Sequence, residues 1–185
     1  AAKFSGADYV LKNSQLNQLL PLLQNLADNS NNPNDLKNTN FKNLNYYPYP
    51  AWDLYRELDY ICLITSRGCP YRCSYCASSI INPELQFRKP HQIVEEIAYW
   101  KKIKEVQNFV FYDDALLFKA EQHFIPLLQE IKKRNLNINF YTPNALHARF
   151  ITQTIAQLMV ECGFDKIWLG FETSDPELQC KTGNK

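Results

Sequence analysis

Two rhythms of apolar positions run along this chain, one helical and one made of short continuous runs. Leu16, Leu19, Leu20, Leu23 and Leu26 or Ala27 recur at helical spacing around Pro21, which predicts a first helix opening near Asn13 or Ser14, either able to cap it. A polar, turn-forming stretch at residues 29–35 follows. The weakly patterned chain from there to Pro48 and Pro50 reads as a linker or an extended wrapping segment. From Tyr60 the pattern becomes regular. Residues 60–65 form a short apolar run that predicts a strand, and Ile93, Ile97, Trp100 and Ile103 or Lys104 give a helical stripe entered at Pro90, where a helix tolerates proline. Residues 108–112 predict a second strand that ends in Asp113-Asp114. Phe124, Leu127, Leu128 and Ile131 mark a second helix with Pro126 in its first turns. A third strand is expected at residues 137–141. A third helix, capped by Thr152, carries Ile155, Leu158, Met159 and Cys162 and stops at Gly163, and a fourth strand is expected at residues 166–170.

Equal intervals separate the expected starts of the second, third and fourth strands, at residues 108, 137 and 166. A repeated strand-helix unit of that length is what parallel βα construction needs, because parallel neighbours require a crossover. The fold class expected is therefore α/β: a parallel sheet or a partial (βα) barrel, broken off after its fourth strand and preceded by a helical remnant and linker. Periodicity does not separate sheet from barrel. The chain reads as a piece of a longer protein.

Composition narrows the function classes. With 185 residues, 45% hydrophobic and 14% aromatic, the chain has the makings of a buried core. It contains no apolar run long enough to span a bilayer and no basic, apolar and small-residue sequence of a secretory signal. Basic and acidic residues number 20 and 19, a balance that offers no broad attraction to phosphate backbones. The local cluster Lys132, Lys133 and Arg134 reads as a solvated helix end, so direct nucleic-acid binding is not expected. Of the six cysteines, Cys69, Cys73 and Cys76 crowd together, which suits metal binding in a reducing compartment, hence a cytoplasmic location, better than disulfides.

The cysteine segment leaves the C-terminal end of the first expected strand, where parallel α/β folds place their chemistry. Its spacing is C-x3-C-x2-C, with Gly68 and Pro70 able to shape a tight turn. A four-iron cluster has four corners and this loop supplies three thiolates, which leaves one iron to bind a small molecule. Structural zinc, completed by Cys62, Cys180, His91 or His147, is the plainer alternative, although no second C-x2-C pair is present. At the other strand ends, Asp113 and Asp114 can accept hydrogen bonds from an ammonium group, or cap a turn. Asn144, in Pro143-Asn144-Ala145, carries donor and acceptor groups and can line the same mouth. Glu172 is placed to accept from hydroxyls. Arg88 and Lys89 can neutralise an anion. His91, His123 and His147 share no metal-ligand spacing and read as surface or turn residues.

Written as C-x3-C-x-Y-C, the loop resembles the motif of the radical S-adenosylmethionine (SAM) superfamily, and the resemblance covers residues 60–185. It implies a [4Fe-4S] cluster on Cys69, Cys73 and Cys76 whose open iron binds the amino and carboxylate groups of S-adenosylmethionine. It further implies reductive cleavage of that cofactor to start radical chemistry on a small-molecule substrate, with a low-potential electron donor as partner. Tyr75 matches the aromatic position near the adenine. Gly170-Phe171-Glu172 is similar to the ribose-contacting G-x-E segment, and Phe111-Tyr112-Asp113-Asp114 resembles the F-x-D-D form of the cobalamin-associated branch in place of the commoner Gly-Gly-Glu. Gly6-Ala7-Asp8-Tyr9 with its following helix is similar to the end of that branch's cobalamin-binding domain, and Pro50-Ala51-Trp52-Asp53-Leu54-Tyr55 to the joining segment. The expected organisation is a domain remnant at 1–28, a linker at 29–59 and the N-terminal portion of a radical SAM core at 60–185, with cobalamin a cofactor of the longer protein. The branch's lower-ligand histidine signature is absent. Methyl transfer is the activity this branch implies, with radical cyclisation or rearrangement as the alternative. No side chain stands out as catalytic in its own right. A zinc-stabilised binding protein and an electron carrier with a fully protein-ligated cluster are the alternatives outside the superfamily.

Overall fold

The computed structural model describes residues 11, 18–27 and 43–183. The chain divides into two compact units, residues 1–47 and residues 48–185. In the first unit, helix α1 spans Leu19–Ala27. Pro21 falls in its first turn, where a missing N–H breaks no helical hydrogen bond. The cap expected at Asn13 or Ser14 lies outside the described residues. A single 3-10 turn at Leu44–Tyr46 is capped by Asn43, whose side-chain oxygen accepts from the Asn45 N–H at 3.0 Å.

The second unit is built on a sheet of four parallel strands, β1 (Tyr60–Leu63), β4 (Asn108–Phe111), β5 (Asn139–Leu146) and β6 (Phe164–Leu169), in the order β1-β4-β5-β6. The α/β class and the partial parallel barrel expected from the sequence are borne out. Between β1 and β4 lie the ribbon of β2 (Ser66–Arg67) with β3 (Gln86–Phe87), the short helix α2 (Ser78–Ile81), and α3 (Pro90–Lys104). Helices α4 (Phe124–Arg134) and α5 (Gln153–Glu161) make the later crossovers, and α6 (Pro176–Thr182) follows β6. Pro90 opens α3, and Thr152 caps α5 by accepting from the Ile155 N–H at 3.2 Å.

One face of the sheet makes the core. Ile61, Leu63, Phe109, Phe111 and Phe140 are almost fully buried against Ile93, Ile97 and Trp100 of α3, Phe124, Leu127 and Leu128 of α4, and Ile155 and Met159 of α5. The apolar stripes of the helices thus find the apolar face of the strands, and this burial is the main stabilising term. Phe111 stacks on Phe140 at 5.1 Å and on Phe164 at 5.8 Å, which carries the core across three adjacent strands. The basic end of α4 is spent holding helices together: Arg134 pairs with Glu95 of α3 at 2.6 Å and with Glu130 at 3.1 Å, and Lys132 with Glu161 of α5 at 2.9 Å. Residues from Pro48 onward also belong to this unit, so the stretch expected as linker over 29–59 packs in part: Tyr49, Trp52 and Leu58 lie against the core, and Lys104 Nζ donates to the Asp53 and Tyr55 carbonyls.

Several strand boundaries differ from the sequence expectation, and β1, expected over residues 60–65, already ends at Leu63. β5 begins at Asn139, because Asn135 and Asn137 adopt left-handed conformations that prolong the turn after α4. It then runs on to Leu146, absorbing Pro143, Asn144 and Ala145 in a register shift between Thr142 and Leu146; a proline read as the end of a strand is instead accommodated by a bulge. β6 starts directly after Gly163, whose φ of +92° and close approach to the Ile138 carbonyl admit no side chain.

Candidate functional site

Because the four strands are parallel, their C-terminal ends share one rim, and every strand-end residue singled out from the sequence lies along it. The cysteine loop leaves β1 through Thr65 and Ser66. Gly68 then turns with φ +88°, and a Cβ built there would stand 2.5 Å from the Glu84 carbonyl oxygen, so the turn requires glycine. Cys69 is half-buried, Cys73 buried and Cys76 exposed, and none of the six cysteines is in a disulfide. The Cys76 N–H donates to the Cys73 carbonyl at 3.0 Å, and the Ser78 N–H to Cys76 Sγ at 3.4 Å. The Ser74 N–H donates to the Thr182 carbonyl at 2.7 Å, which ties the loop to the end of α6.

Burial pushes the Cys69 thiol above its ordinary range; a Tyr71 backbone donor opposes this, and the charges of Asp114, Cys73 and Cys76 add to it. Cys69 therefore lies within electrostatic reach of Asp114 and of the other two thiols. Among the described residues no three Cys, His, Asp or Glu side chains converge on a point that could hold a single metal ion, so the four-ligand zinc set is not assembled there. A four-iron cluster makes a different demand. Each thiolate takes a separate iron corner, so the donors must surround a volume rather than aim at one centre. All three cysteines stand within eight consecutive positions, after the turn that Gly68 shapes.

The neighbouring strand ends divide sharply. Asp114 is exposed and faces a small cleft with Tyr71, Phe118, His147 and Phe150. Tyr71, from the cysteine loop, packs 5.0 Å from the His147 ring, and Arg149 lies 5.6 Å above Tyr71 and 4.7 Å above Phe150. Asn144 Nδ2 donates to the Tyr112 carbonyl at 3.0 Å and the Asp113 carbonyl at 3.3 Å, so it joins the bulge of β5 to the end of β4. Glu172 is exposed beyond β6; Gly170 donates its N–H to the Leu146 carbonyl at 2.9 Å, and a Cβ at Gly170 would sit 3.8 Å from Glu172 Oε1. Tyr75 is 57% exposed on the cysteine loop, which leaves its ring accessible.

Asp113 is different. Its side chain is buried, and its Oδ1 accepts from the Thr65 hydroxyl at 2.8 Å, the Ser66 hydroxyl at 2.6 Å, the Ser66 N–H at 2.5 Å and the Thr65 N–H at 3.1 Å. Burial raises its carboxyl above the usual carboxylate range while these donors pull it back. Its acceptor capacity is directed inward, to Thr65 and Ser66 just beyond β1. His123 lies in the turn before α4, within the surface or turn placement expected of the histidines, but it is buried: Nε2 lies 3.0 Å from Thr65 Oγ1, and burial depresses its pKa to about 4. Helix α4 starts just after it, so the apolar residue pattern that begins at Phe124 draws it inside. Arg88, read from the sequence as able to neutralise an anion, pairs with the carboxylate of buried Glu96 at 2.6 Å and donates from Nη1 to the Ile64 carbonyl at 3.0 Å. Thr65 and Ser66 carried no signal in the sequence, since their partners are remote along the chain.

The chain belongs to the radical SAM superfamily, whose family model matches residues 63–185. It is 27% identical over 153 residues to an uncharacterized methyltransferase, PH0819, of Pyrococcus horikoshii, a match that covers 74% of this chain and 31% of that protein. It is 30% identical over 73 residues to the anaerobic magnesium-protoporphyrin IX monomethyl ester cyclase of Rubrivivax gelatinosus, covering 40% of this chain and 13% of that one. Its fold is shared with the radical S-adenosylmethionine methyltransferase TsrM from Kitasatospora setae, solved with cobalamin and a [4Fe-4S] cluster bound; the TM-score is 0.60 at 19% identity, over 66% of this chain and 22% of that chain. The chain thus spans less than a third of the length of each of these proteins. Among its described residues no helix is long and apolar enough to cross a membrane.

Proposed function

We propose that this chain is the N-terminal part of the catalytic core of a radical SAM enzyme, and that Cys69, Cys73 and Cys76 hold a [4Fe-4S] cluster with one iron left for S-adenosylmethionine. The observation that supports the reading is the match of the radical SAM family model to residues 63–185, which include the C-x3-C-x2-C loop that follows β1 of the parallel sheet. When bound, such a cluster, reduced by a low-potential donor, supplies one electron that cleaves S-adenosylmethionine to methionine and a 5'-deoxyadenosyl radical. The protein's part is to bind and orient. Asp114, exposed and close to Cys69, is the strand-end carboxylate available to accept from the methionine ammonium group. Tyr75 offers a ring face for adenine, Glu172 accepts from ribose hydroxyls, and Asn144 braces the rim between them. Asp113 supports the loop from beneath.

Methyl transfer to a small molecule is the reaction this reading favours, supported by the methyltransferase relative, with residues 1–28 as the end of a cobalamin-binding domain and cobalamin as the second cofactor of the longer protein. The cyclase relative supports radical cyclisation as the second reading. Anaerobic reconstitution followed by reduction in the presence of S-adenosylmethionine tests the core claim. The expected result is close to four irons and four sulfides per chain, and formation of 5'-deoxyadenosine by the longer protein that is lost when Cys69, Cys73 or Cys76 becomes Ala. A fully reconstituted and reducible longer protein that leaves S-adenosylmethionine intact would sink the proposal.

A further inference from the structure

The short segment between β1 and the cysteine loop is gripped from every side. The Tyr112 N–H donates to the Leu63 carbonyl at 2.9 Å, Arg88 Nη1 to the Ile64 carbonyl at 3.0 Å, and the Arg88 N–H to the Thr65 carbonyl at 2.9 Å. The N–H groups and hydroxyls of both Thr65 and Ser66 converge on Asp113. Thr65 has one hydroxyl proton, and it goes to Asp113. The contact with His123 must then take its proton from the imidazole, which assigns His123 the Nε2–H tautomer and makes a directed chain, His123 to Thr65 to Asp113. Phe87 packs on the His123 ring at 4.8 Å and keeps it in place.

Only Arg67 and Gly68 separate Ser66 from Cys69, and the Gly68 turn lies hard against the Glu84 carbonyl. A shift at Ser66 therefore has little slack in which to die out before the first thiolate. A network that merely filled the core would not need four donors on one carboxylate at this point.

We propose that Asp113 and His123 are positioning residues that hold Thr65 and Ser66, and through them fix where Cys69 meets the cluster. The idea rests on reading the cysteine loop as a cluster site, and the test separates the two. Asp113→Asn, His123→Gln and Thr65→Val are compared with wild type by hydrogen exchange over residues 64–76 before reconstitution, then by the EPR spectrum and midpoint potential of the reduced cluster. Loss of a charge-assisted acceptor predicts that the Thr65 and Ser66 amides of Asp113→Asn exchange about ten- to a hundredfold faster. The cluster is retained in amount, but its potential and its EPR response to S-adenosylmethionine are expected to shift. Wild-type exchange rates in all three variants would overturn the proposal, as would faster exchange with an unaltered spectrum and potential, which would make the network a brace and nothing more. Should Asp113→Asn fail to fold, His123→Gln and Thr65→Val leave the carboxylate intact and carry the comparison. If the wild-type chain takes up no cluster, the cluster reading fails and the exchange rates alone decide the clamp.

Discussion

Asp113 and Glu172 both stand just past the end of a parallel strand, and their surroundings could hardly differ more. Asp113 is buried at the β4 end and surrounded by donors from Thr65 and Ser66, just past β1, while Glu172 is exposed beyond β6. The same contrast runs through the two sides of the sheet. On the β1–β4 side the strands are short, regular and covered, and even the charged groups are internal, as the Arg88–Glu96 pair shows. On the β5–β6 side the register slips twice, and Ile167, Trp168 and Leu169 are 42–53% exposed. The difference teaches that a strand end fixes where an acid sits, whereas burial decides whether its acceptor capacity is taken up inside the protein or stands at the surface.

The largest effect expected from this comparison is on stability. Phe111 is 1% exposed and stacks on two neighbouring strands, so Phe111→Ala should cost about 3–5 kcal/mol. Trp168→Ala, at a half-exposed site on β6, should cost less than about 1 kcal/mol. Urea unfolding of the two variants measures both. Equal losses would erase the distinction between the two sides.

Much of the covered side was legible in the sequence because its signals are local. Ile93, Ile97 and Trp100 share a helical face, Pro90 opens the helix that carries them, and Thr152 caps the third crossover. The cysteine spacing and the acids at two strand ends, Asp113-Asp114 and Glu172, were equally readable, since each lies at a boundary between an apolar run and a turn. What stayed hidden depends on remote partners. Asp113 bonds to residues 47 and 48 positions away, and His123 to one 58 positions away, so no local spacing could show that either turns inward. The bulge in β5 was hidden for another reason: Pro143 is a strand terminator by composition, and only the pairing with β6 carries the strand past it.

Acid sharpens the comparison next. The buried His123 titrates at about 4 against 6.5 when free, so between those values the unfolded chain holds a proton that the folded chain refuses. Its contribution is complete above pH 6.5 and is lost as pH falls toward 4, by about 3 kcal/mol in all. Asp113, raised by its burial, acts with the opposite sign as pH falls, because the folded chain then binds a proton more readily than the unfolded one. The stability difference between wild type and His123→Gln isolates the histidine. It should shrink from pH 7 to pH 4, as followed by urea unfolding at each pH. A difference independent of pH would mean that His123 accepts a proton without cost where it sits.

The smallest effect on stability belongs to Glu172. An exposed carboxylate has little desolvation to repay, so Glu172→Gln should alter folding by no more than about 0.5 kcal/mol. If the acid accepts from ribose hydroxyls, its replacement exchanges a charged acceptor for a neutral one and should weaken S-adenosylmethionine binding to the reconstituted longer protein by about tenfold. Asp113→Asn supplies the inverse case, with a larger stability loss expected because a buried carboxylate that accepts several donors is replaced by a group that must present an N–H to some of them. Isothermal titration with S-adenosylmethionine, set beside the urea midpoints of both variants, places each acid on its side of the divide. A Glu172→Gln protein that binds as tightly as wild type would leave the β6 rim without a cofactor role, however open it stands.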